Sequence, residues 1–272
     1  MNLSVTTDYA TDRGCPEPYL RRIAEAGFTH THWCHQWNTD FLYSRWEIAQ
    51  IEQWLKEFGL TLLDLHASDG VEKKWASPRE YERQSGVDLV KNRIDMAARL
   101  SCDVIIMHAG EPKEESQRAA FWTQLRQSLD DLRPHARARG LRIAVENGNF
   151  AVIRALCSEY EPDFLGLCYD SGHGNMGDHS GLDHLDALKD RLISIHLHDN
   201  DGVGDQHKLL FTGTVDWPRL AAIIARSSYK KCVSMEVTMR NMGMSDETVF
   251  LQEAFKGGEA FSKMISDSAG KR

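Results

Sequence analysis

Eight short apolar runs, separated by longer stretches with helical spacing, constrain this chain more than any other feature. The runs are Leu3–Thr7, Thr29–Trp33, Thr61–His66, Val104–His108, Arg142–Glu146, Leu165–Asp170, Ile193–His198 and Cys232–Val237. Most are rich in Val, Ile and Leu without clean alternation, the pattern of parallel strands covered on both faces. Between them, apolar residues recur at three- and four-residue spacing. Ile51, Trp54, Leu55 and Phe58 run up to Gly59, a helix stop signal. Val87, Val90, Ile94, Ala97 and Ala98 form a second series, and Trp122, Leu125, Leu129 and Leu132 a third that ends near Gly140. Leu182, Leu185 and Leu188, then Leu220, Ile223 and Ile224, then Phe250, Ala254 and Phe261 mark three more. About eight βα units predict a closed parallel barrel rather than an open sheet. No Gly-x-Gly-x-x-Gly follows the first run, which argues against a dinucleotide-binding fold. The 272 residues match the roughly 250 that such a barrel needs, so residues 1–272 are expected to form a single (β/α)8 TIM-barrel domain. Ala67–Glu80 and Asn200–Asp216 are expected to be long loops over the strand ends, and Ser266–Arg272 a frayed polar tail.

The polar residues of these runs gather at their C-terminal ends. His66, His108, Glu146, Asp170 and His198 each close a run, and Glu236 follows Val-Ser-Met. In a barrel these ends converge on one face, where catalytic groups are found. A single polar residue there is often only the start of a loop. Several carboxylates at one mouth repel one another, and a buried carboxylate is costly unless paired or metal-bound. A divalent cation resolves that conflict. An oxygen-rich set with one imidazole suits Mn²⁺, Mg²⁺ or Co²⁺, with Zn²⁺ possible.

Composition narrows the function classes. The formal net charge is −8 and the sequence pI about 5.8, without the overall basic surface by which a domain grips nucleic acid. The six cysteines form no Cys-x-x-Cys pair, so a thiolate zinc site is not expected. They read as reduced thiols of a cytoplasmic protein. The N-terminus has no basic stretch followed by an apolar one, and no apolar run approaches the roughly 18 to 20 residues that span a bilayer.

Four motifs carry a resemblance. Val145-Glu146-Asn147, Asp170-Ser171-Gly172-His173, His196-Leu197-His198-Asp199-Asn200 and Ser234-Met235-Glu236-Val237 stand in the order found in the xylose-isomerase-like TIM-barrel superfamily. That superfamily includes sugar isomerases, ketose 3-epimerases, inosose-processing enzymes and endonuclease IV. The resemblance implies one divalent ion held by Glu146, Asp170, His198 and Glu236. It places His173 near the ion and against substrate, and His66 and His108 along the pocket. Asp205-Gln206-His207 resembles the Asp-x-His element of the loop after strand seven. Strand alternation puts His196 on the same face as His198 but one layer deeper, as a core or supporting residue.

The implied reaction is proton transfer at a carbon beside a carbonyl, through an enediolate, on a small carbohydrate, keto-sugar or inosose. Glu146 and Glu236 would serve as base and acid. His173 and His108 would hold hydroxyls, with His66, Asp205 and His207 further out. The stretch Asp199–Gln206 departs from the ketose 3-epimerase pattern in holding no arginine, which leaves keto-sugar and inosose chemistry, dehydration included, open. The rival is an endonuclease-IV-like phosphodiesterase, because the positions of His66, His108, Glu146, Asp170, His173, His198, Asp205, His207 and Glu236 resemble those that hold three zinc ions there. Against it stands the number of cationic contacts that a phosphate backbone needs. Trp33, Trp37 and Trp75 fall at or beyond strand ends, where a ring can stack on a sugar or simply pack; Trp33 is taken as a pocket residue. Trp46, Trp54, Trp122 and Trp217 are expected in the core. His30, His32 and His35 read as strand-end polarity, since no carboxylate is adjacent before Asp40. Homo-oligomers are common among related barrels.

Overall fold

The computed structural model describes residues 1–36, 42–67, 73–111 and 114–270. Eight parallel strands run β1 Leu3–Thr6, β2 His30–Trp33, β3 Thr61–His66, β4 Val104–His108, β5 Arg142–Glu146, β6 Leu165–Asp170, β7 Leu192–His196 and β8 Val233–Met235. Their order around the sheet follows the sequence, with β8 beside β1. The remaining gap closes just beyond β7, where Leu197 N–H donates to the Ser234 carbonyl at 3.0 Å and Glu236 N–H donates to the Leu197 carbonyl at 3.0 Å. Those two bonds also fix the neighbours that matter, His198 and Glu236. The fold is the expected TIM barrel.

The outer layer holds α1 Glu17–Glu25, α2 Arg45–Phe58, α3 Glu80–Arg99, α4 Arg118–Arg137, α5 Phe150–Glu159, the short α6 Ser171–Asn175, α7 Gly181–Leu188, α8 Trp217–Ala225 and α9 Glu247–Ala269. Local chemistry sets their ends. Ser44 and Glu47 form a capping box on α2, and Gly59 ends it at φ +68°, a left-handed conformation that glycine adopts without strain. Asn149, Asp216 and Asp246 cap α5, α8 and α9 with side-chain oxygens. Two expectations fail here. The tail predicted to fray from Ser266 continues α9 to Ala269. Trp46, expected in the core, is 70% exposed on the first turn of α2, with the Arg45 guanidinium 4.6 Å from its ring centroid. Among the described residues no helix is long and apolar enough to cross a membrane.

Strand alternation divides the apolar residues into two sets. Ile105, Met107, Ile143, Val145, Leu167 and Ile195 point outward into the main core under the helices. Val104, Ile106, Ala144, Cys168 and Ile193 form a separate small cluster. Barrel interiors are usually filled with bulky branched side chains. Here that cluster is flanked by buried polar residues, Ser194 and His196 on β7 and Ser4, Thr6, His32, Asp64 and Ser234 on the other strands. A register shift between β2 and β3 skips Leu63 and sets His32 directly beside Asp64.

A carboxylate and histidine site at the barrel mouth

The four sequence motifs resolve into positions with separate physical jobs. Glu146 ends β5, is 3% exposed, and faces a cavity of about 390 Å³. Asn147 turns away and clamps the end of β6: its Oδ1 accepts from Asp170 N–H at 2.6 Å and its Nδ2 donates to the Asp170 carbonyl at 3.0 Å. Asp170 then caps α6, accepting from His173 N–H at 2.7 Å. Ser171 ties α6 to the end of β7, because its hydroxyl accepts from His198 N–H at 2.9 Å and donates to the His198 carbonyl at 2.7 Å. Gly172 has to be glycine: a Cβ there would fall 1.9 Å from His198 Cε1. His173 completes the turn and lines the cavity.

The loop after β7 is fastened by the residues beyond His198. Asp199 accepts from Asn200 N–H, Val215 N–H and Trp217 Nε1 at 2.9, 3.1 and 2.9 Å. Asn200 donates to the Gly172 carbonyl at 2.9 Å. This brings Asp205 and His207 back over the mouth. His207 takes a left-handed backbone, φ 47°, and donates from Nδ1 to the Glu236 carbonyl at 2.7 Å.

Every residue expected at the site therefore converges on it. Glu146 Oε2 lies 3.3 Å from His108 Nε2 and 3.6 Å from His66 Nε2. Glu236 Oε1 lies 3.4 Å from the same His66 nitrogen. Asp170 Oδ1 is 3.0 Å from His198 Nε2, and His173 Nδ1 spans Asp170 and Glu146 at 3.8 and 3.6 Å. Asp205 meets His173 Nε2 at 3.4 Å and His207 Nε2 at 3.2 Å. The four expected ligands are thus spread over adjoining clusters: His66, His108 and Glu146; Asp170, His173 and His198; and Glu236 with His32, His66 and His196. Trp33 is 1% exposed, reaches the cavity wall, and donates from Nε1 to the Tyr43 hydroxyl at 3.1 Å. Trp75 is buried in the loop before α3, where its carbonyl accepts from Ser128. Trp37 lies outside the described residues.

The donor set fits a divalent cation. Glu146 Oε2, Asp170 Oδ2, His198 Nε2 and His196 Nδ1 are buried and make no hydrogen bond. His198 Nε2 is only 3.0 Å from Asp170, and His196 Nδ1 only 3.0 Å from Glu236 Oε2, yet neither contact has hydrogen-bond alignment. Lone pairs that crowd together without bonding are what a ligand set looks like. His173 and His207 each give Nδ1–H to a carbonyl, of Asn147 and Glu236, which aims Nε2 at Asp205; each Nε2 must give up its proton before it can serve as a ligand.

Electrostatics follow from this crowding. Asp170 raises the pKa of His173 from 6.5 to about 10 against the opposing pull of burial. Burial works to lower His207, but its bond to Asp205 and the charges of Glu236 and Asp170 lift it to about 10. Burial works to raise Glu146 and Glu236, yet His196 and its neighbours hold Glu146 below and Glu236 well below the usual range. A folded-state pKa above the unfolded value stabilises the fold below the unfolded pKa and ceases to do so as pH rises through the folded one. The melting temperature of metal-stripped protein is therefore expected to fall between pH 7 and 10. Over the same window the rise produced by added divalent ion should grow, because the ion no longer meets the positive charge of the His173 and His207 rings beside it. Thermal scans with and without chelator check this, and a metal increment that shrinks with pH would contradict it.

Two residues of the site, His32 and Asp8, escaped the sequence reading. His32 is not strand-end polarity but fully buried inside the barrel, with Nδ1 2.7 Å from Asp64 and Nε2 3.8 Å from Glu236. Asp8, two residues past β1, lines the cavity, where burial and then Glu236 raise its pKa. His196, expected one layer down, lies there and touches Glu236 Oε2 at 3.0 Å and Glu146 Oε1 at 3.4 Å.

A family model described as xylose isomerase-like TIM barrel matches residues 20–255. An uncharacterized protein of Sinorhizobium fredii is 33% identical over 261 residues, covering 85% of this chain and 84% of its own. Fructoselysine 3-epimerase of Shigella flexneri is 22% identical over 188 residues, 65% of this chain and 67% of that one. Among solved structures, a D-tagatose 3-epimerase-like protein superposes with a TM-score of 0.81 at 18% identity, covering 100% of this chain and 99% of the other. The 3-keto-D-glucoside 4-epimerase of E. coli does so with a TM-score of 0.74 at 16% identity, covering 96% and 99%.

Proposed function

The chain belongs to the xylose isomerase-like TIM barrel family, and on that premise we propose that it is a divalent-metal-dependent epimerase or isomerase of a sugar or keto-sugar. The observation that carries the reading is the pairing of Glu146 and Glu236. Both are buried, both line one cavity, and His66 stands between them at 3.6 and 3.4 Å. Two carboxylates from different strands reach a bound carbon from different directions, the requirement for taking a proton from one face and returning it to another position. The cavity is at the small end of the range for ligand sites, in keeping with a monosaccharide-sized substrate. Relatives in the fold whose names specify sugar epimerases, one acting on a keto-glucoside, support the same class.

Glu146, Asp170, His198 and Glu236 would hold the ion, which when bound polarises the carbonyl and offsets charge as the adjacent C–H bond breaks. Glu236, held ionised by His196 and His66, accepts the proton. Glu146 stands on the other side; also held ionised in the free site, it takes up a proton from water or a substrate hydroxyl before returning one to carbon, with His196 contacting both carboxylates from beneath. His108 and His173 present ring nitrogens to substrate hydroxyls at the rim.

The Nε2 atoms of His173 and His207, both turned to Asp205, support a second reading with ions beyond the first, as in an endonuclease-IV-like phosphodiesterase. One experiment separates the two. Metal-loaded protein is incubated in D2O with ketoses, inososes and keto-sugars, and deuterium is sought beside the carbonyl, while bound metal is counted by mass spectrometry. Exchange into at least one substrate is the expected result. No exchange with any of them, together with three zinc ions per chain and cleavage of abasic DNA, would establish the rival.

A further inference from the structure

Helix α3 carries two arginines that are almost completely buried, and they differ in one respect. Arg83 is 0% exposed and saturated: Glu80, Asp131 and Ser128 all accept from its guanidinium, at 2.7 to 3.0 Å. Arg93 is 4% exposed, and its Nη1 is buried without a hydrogen-bond partner. Among the described residues the Tyr43 ring packs on it, with the centroid 4.3 Å from Cζ, and the Glu47 carboxylate favours its charged form through space. An ionised group left unpaired in the interior is expensive, and a ring face repays only part of that cost. Burial accordingly pulls the Arg93 pKa down.

Where the guanidinium lies gives the cost a purpose. Arg93 lines the same cavity as Glu146 and Glu236, and no other lysine or arginine does so among the described residues. It enters beside Cys34 and Tyr43, on the side of β2, whereas Asp170 and His173 stand at the end of β6, four strands away around an eight-stranded barrel. Carboxylates and imidazoles line most of this cavity, Asp8 after β1 and His35 after β2 among them, and Arg93 is its one forked donor among the described residues. A planar guanidinium with free N–H groups is shaped for bidentate recognition of an oxyanion.

We propose that Arg93 is an anion-recognition residue of this site, and that the substrate carries a carboxylate or phosphate group on the end remote from the reacting carbon. The inference rests on the sugar-epimerase reading for the word substrate, but the anion site itself stands without it. Arg93 does no chemistry; it fixes which molecules are held and in which direction they lie. Its unpaired state in the free protein is a stability cost retained for binding.

Calorimetric titration of the full-length, metal-loaded chain tests the proposal, with inorganic phosphate and D-gluconate as separate probes against wild type and Arg93→Gln. Any contribution of the metal to anion binding is common to both proteins and cancels. At least one probe is expected to bind wild type roughly tenfold or more tighter than the variant, the effect of losing a charge-assisted hydrogen bond. Preference for phosphate identifies a sugar phosphate, and preference for gluconate a sugar acid. Equal binding to both proteins, or no binding of either probe to wild type, would overturn the proposal. A second measurement needs no ligand. Arg93→Met is expected to melt above wild type, because it removes an unpaired buried charge; a lower melting temperature would mark Arg93 as a packing element and sink the idea. Neither result depends on C–H exchange, so the proposal and the sugar-epimerase reading fail separately.

Discussion

Glu236→Gln at saturating metal is expected to lower kcat for C–H exchange by about 10²- to 10⁴-fold, the usual loss when a positioned general base is removed. Glutamine keeps the shape and one carbonyl oxygen, so His66 and His196 retain a neighbour while the proton acceptor is gone. The same substitution weakens the ion's hold, which is why excess metal belongs in the experiment. A residue that acts only as a ligand is rescued by more metal, and a residue that moves the proton is not. Glu146→Gln is expected to behave alike. A difference between the two in the direction of the reaction affected would show which carboxylate serves which face of the substrate. Exchange surviving at the wild-type rate in either variant removes that residue from proton transfer. Deuterium incorporation followed by NMR reads all of these outcomes.

Much of the architecture was legible because a parallel barrel writes a strong pattern. Strands buried on both faces give apolar runs, and β3, β4, β5 and β6 begin and end at the positions read from sequence. Besides the short α6, two helices went unread, α1 and α5. Helix α1 buries only Leu20 and Ile23, too few positions to declare a period, and in α5 the apolar residues Phe150–Ile153 run together before Arg154, which blurs the stripe. The site was legible for the same topological reason, since residues that close parallel strands must meet at one mouth. His32 shows the limit of that reasoning. Its partner, Asp64, is 32 residues away and comes alongside only through a register shift between β2 and β3, which no local spacing announces. Arg93 was hidden differently. It occupies an ordinary polar position in a helical repeat, and only the packing of α3 against Tyr43 turns it into the cavity wall.

The buried pair that escaped the sequence reading supports the largest stability prediction. Asp64 is fully buried and accepts from His32 Nδ1 at 2.7 Å on one oxygen and from Ser194 on the other. Burial works to raise its pKa, but those bonds and the His196 charge hold it at about 2. Burial, followed by His196, pushes His32 the other way, down from 6.5. The consistent assignment is an ionised Asp64 and a neutral His32 that donates Nδ1–H and keeps Nε2 toward Glu236. Asp64→Ala would leave an imidazole and a hydroxyl unpaired in the barrel interior, and breaking such a buried pair costs about 3–5 kcal/mol. Against a total stability of roughly 5–15 kcal/mol that is a large fraction. For a chain of this size it corresponds to a fall in Tm of roughly 6–20 °C. Asp64→Asn keeps an acceptor for His32 and is expected to lose much less. Urea denaturation measures both, and an Asp64→Ala protein within about 0.5 kcal/mol of wild type, the range of ordinary surface substitutions, would refute the role assigned to the pair. A destabilised but folded Asp64→Asn protein should also show altered proton exchange, since the His32 ring that Asp64 orients is the one whose free nitrogen faces Glu236 at 3.8 Å.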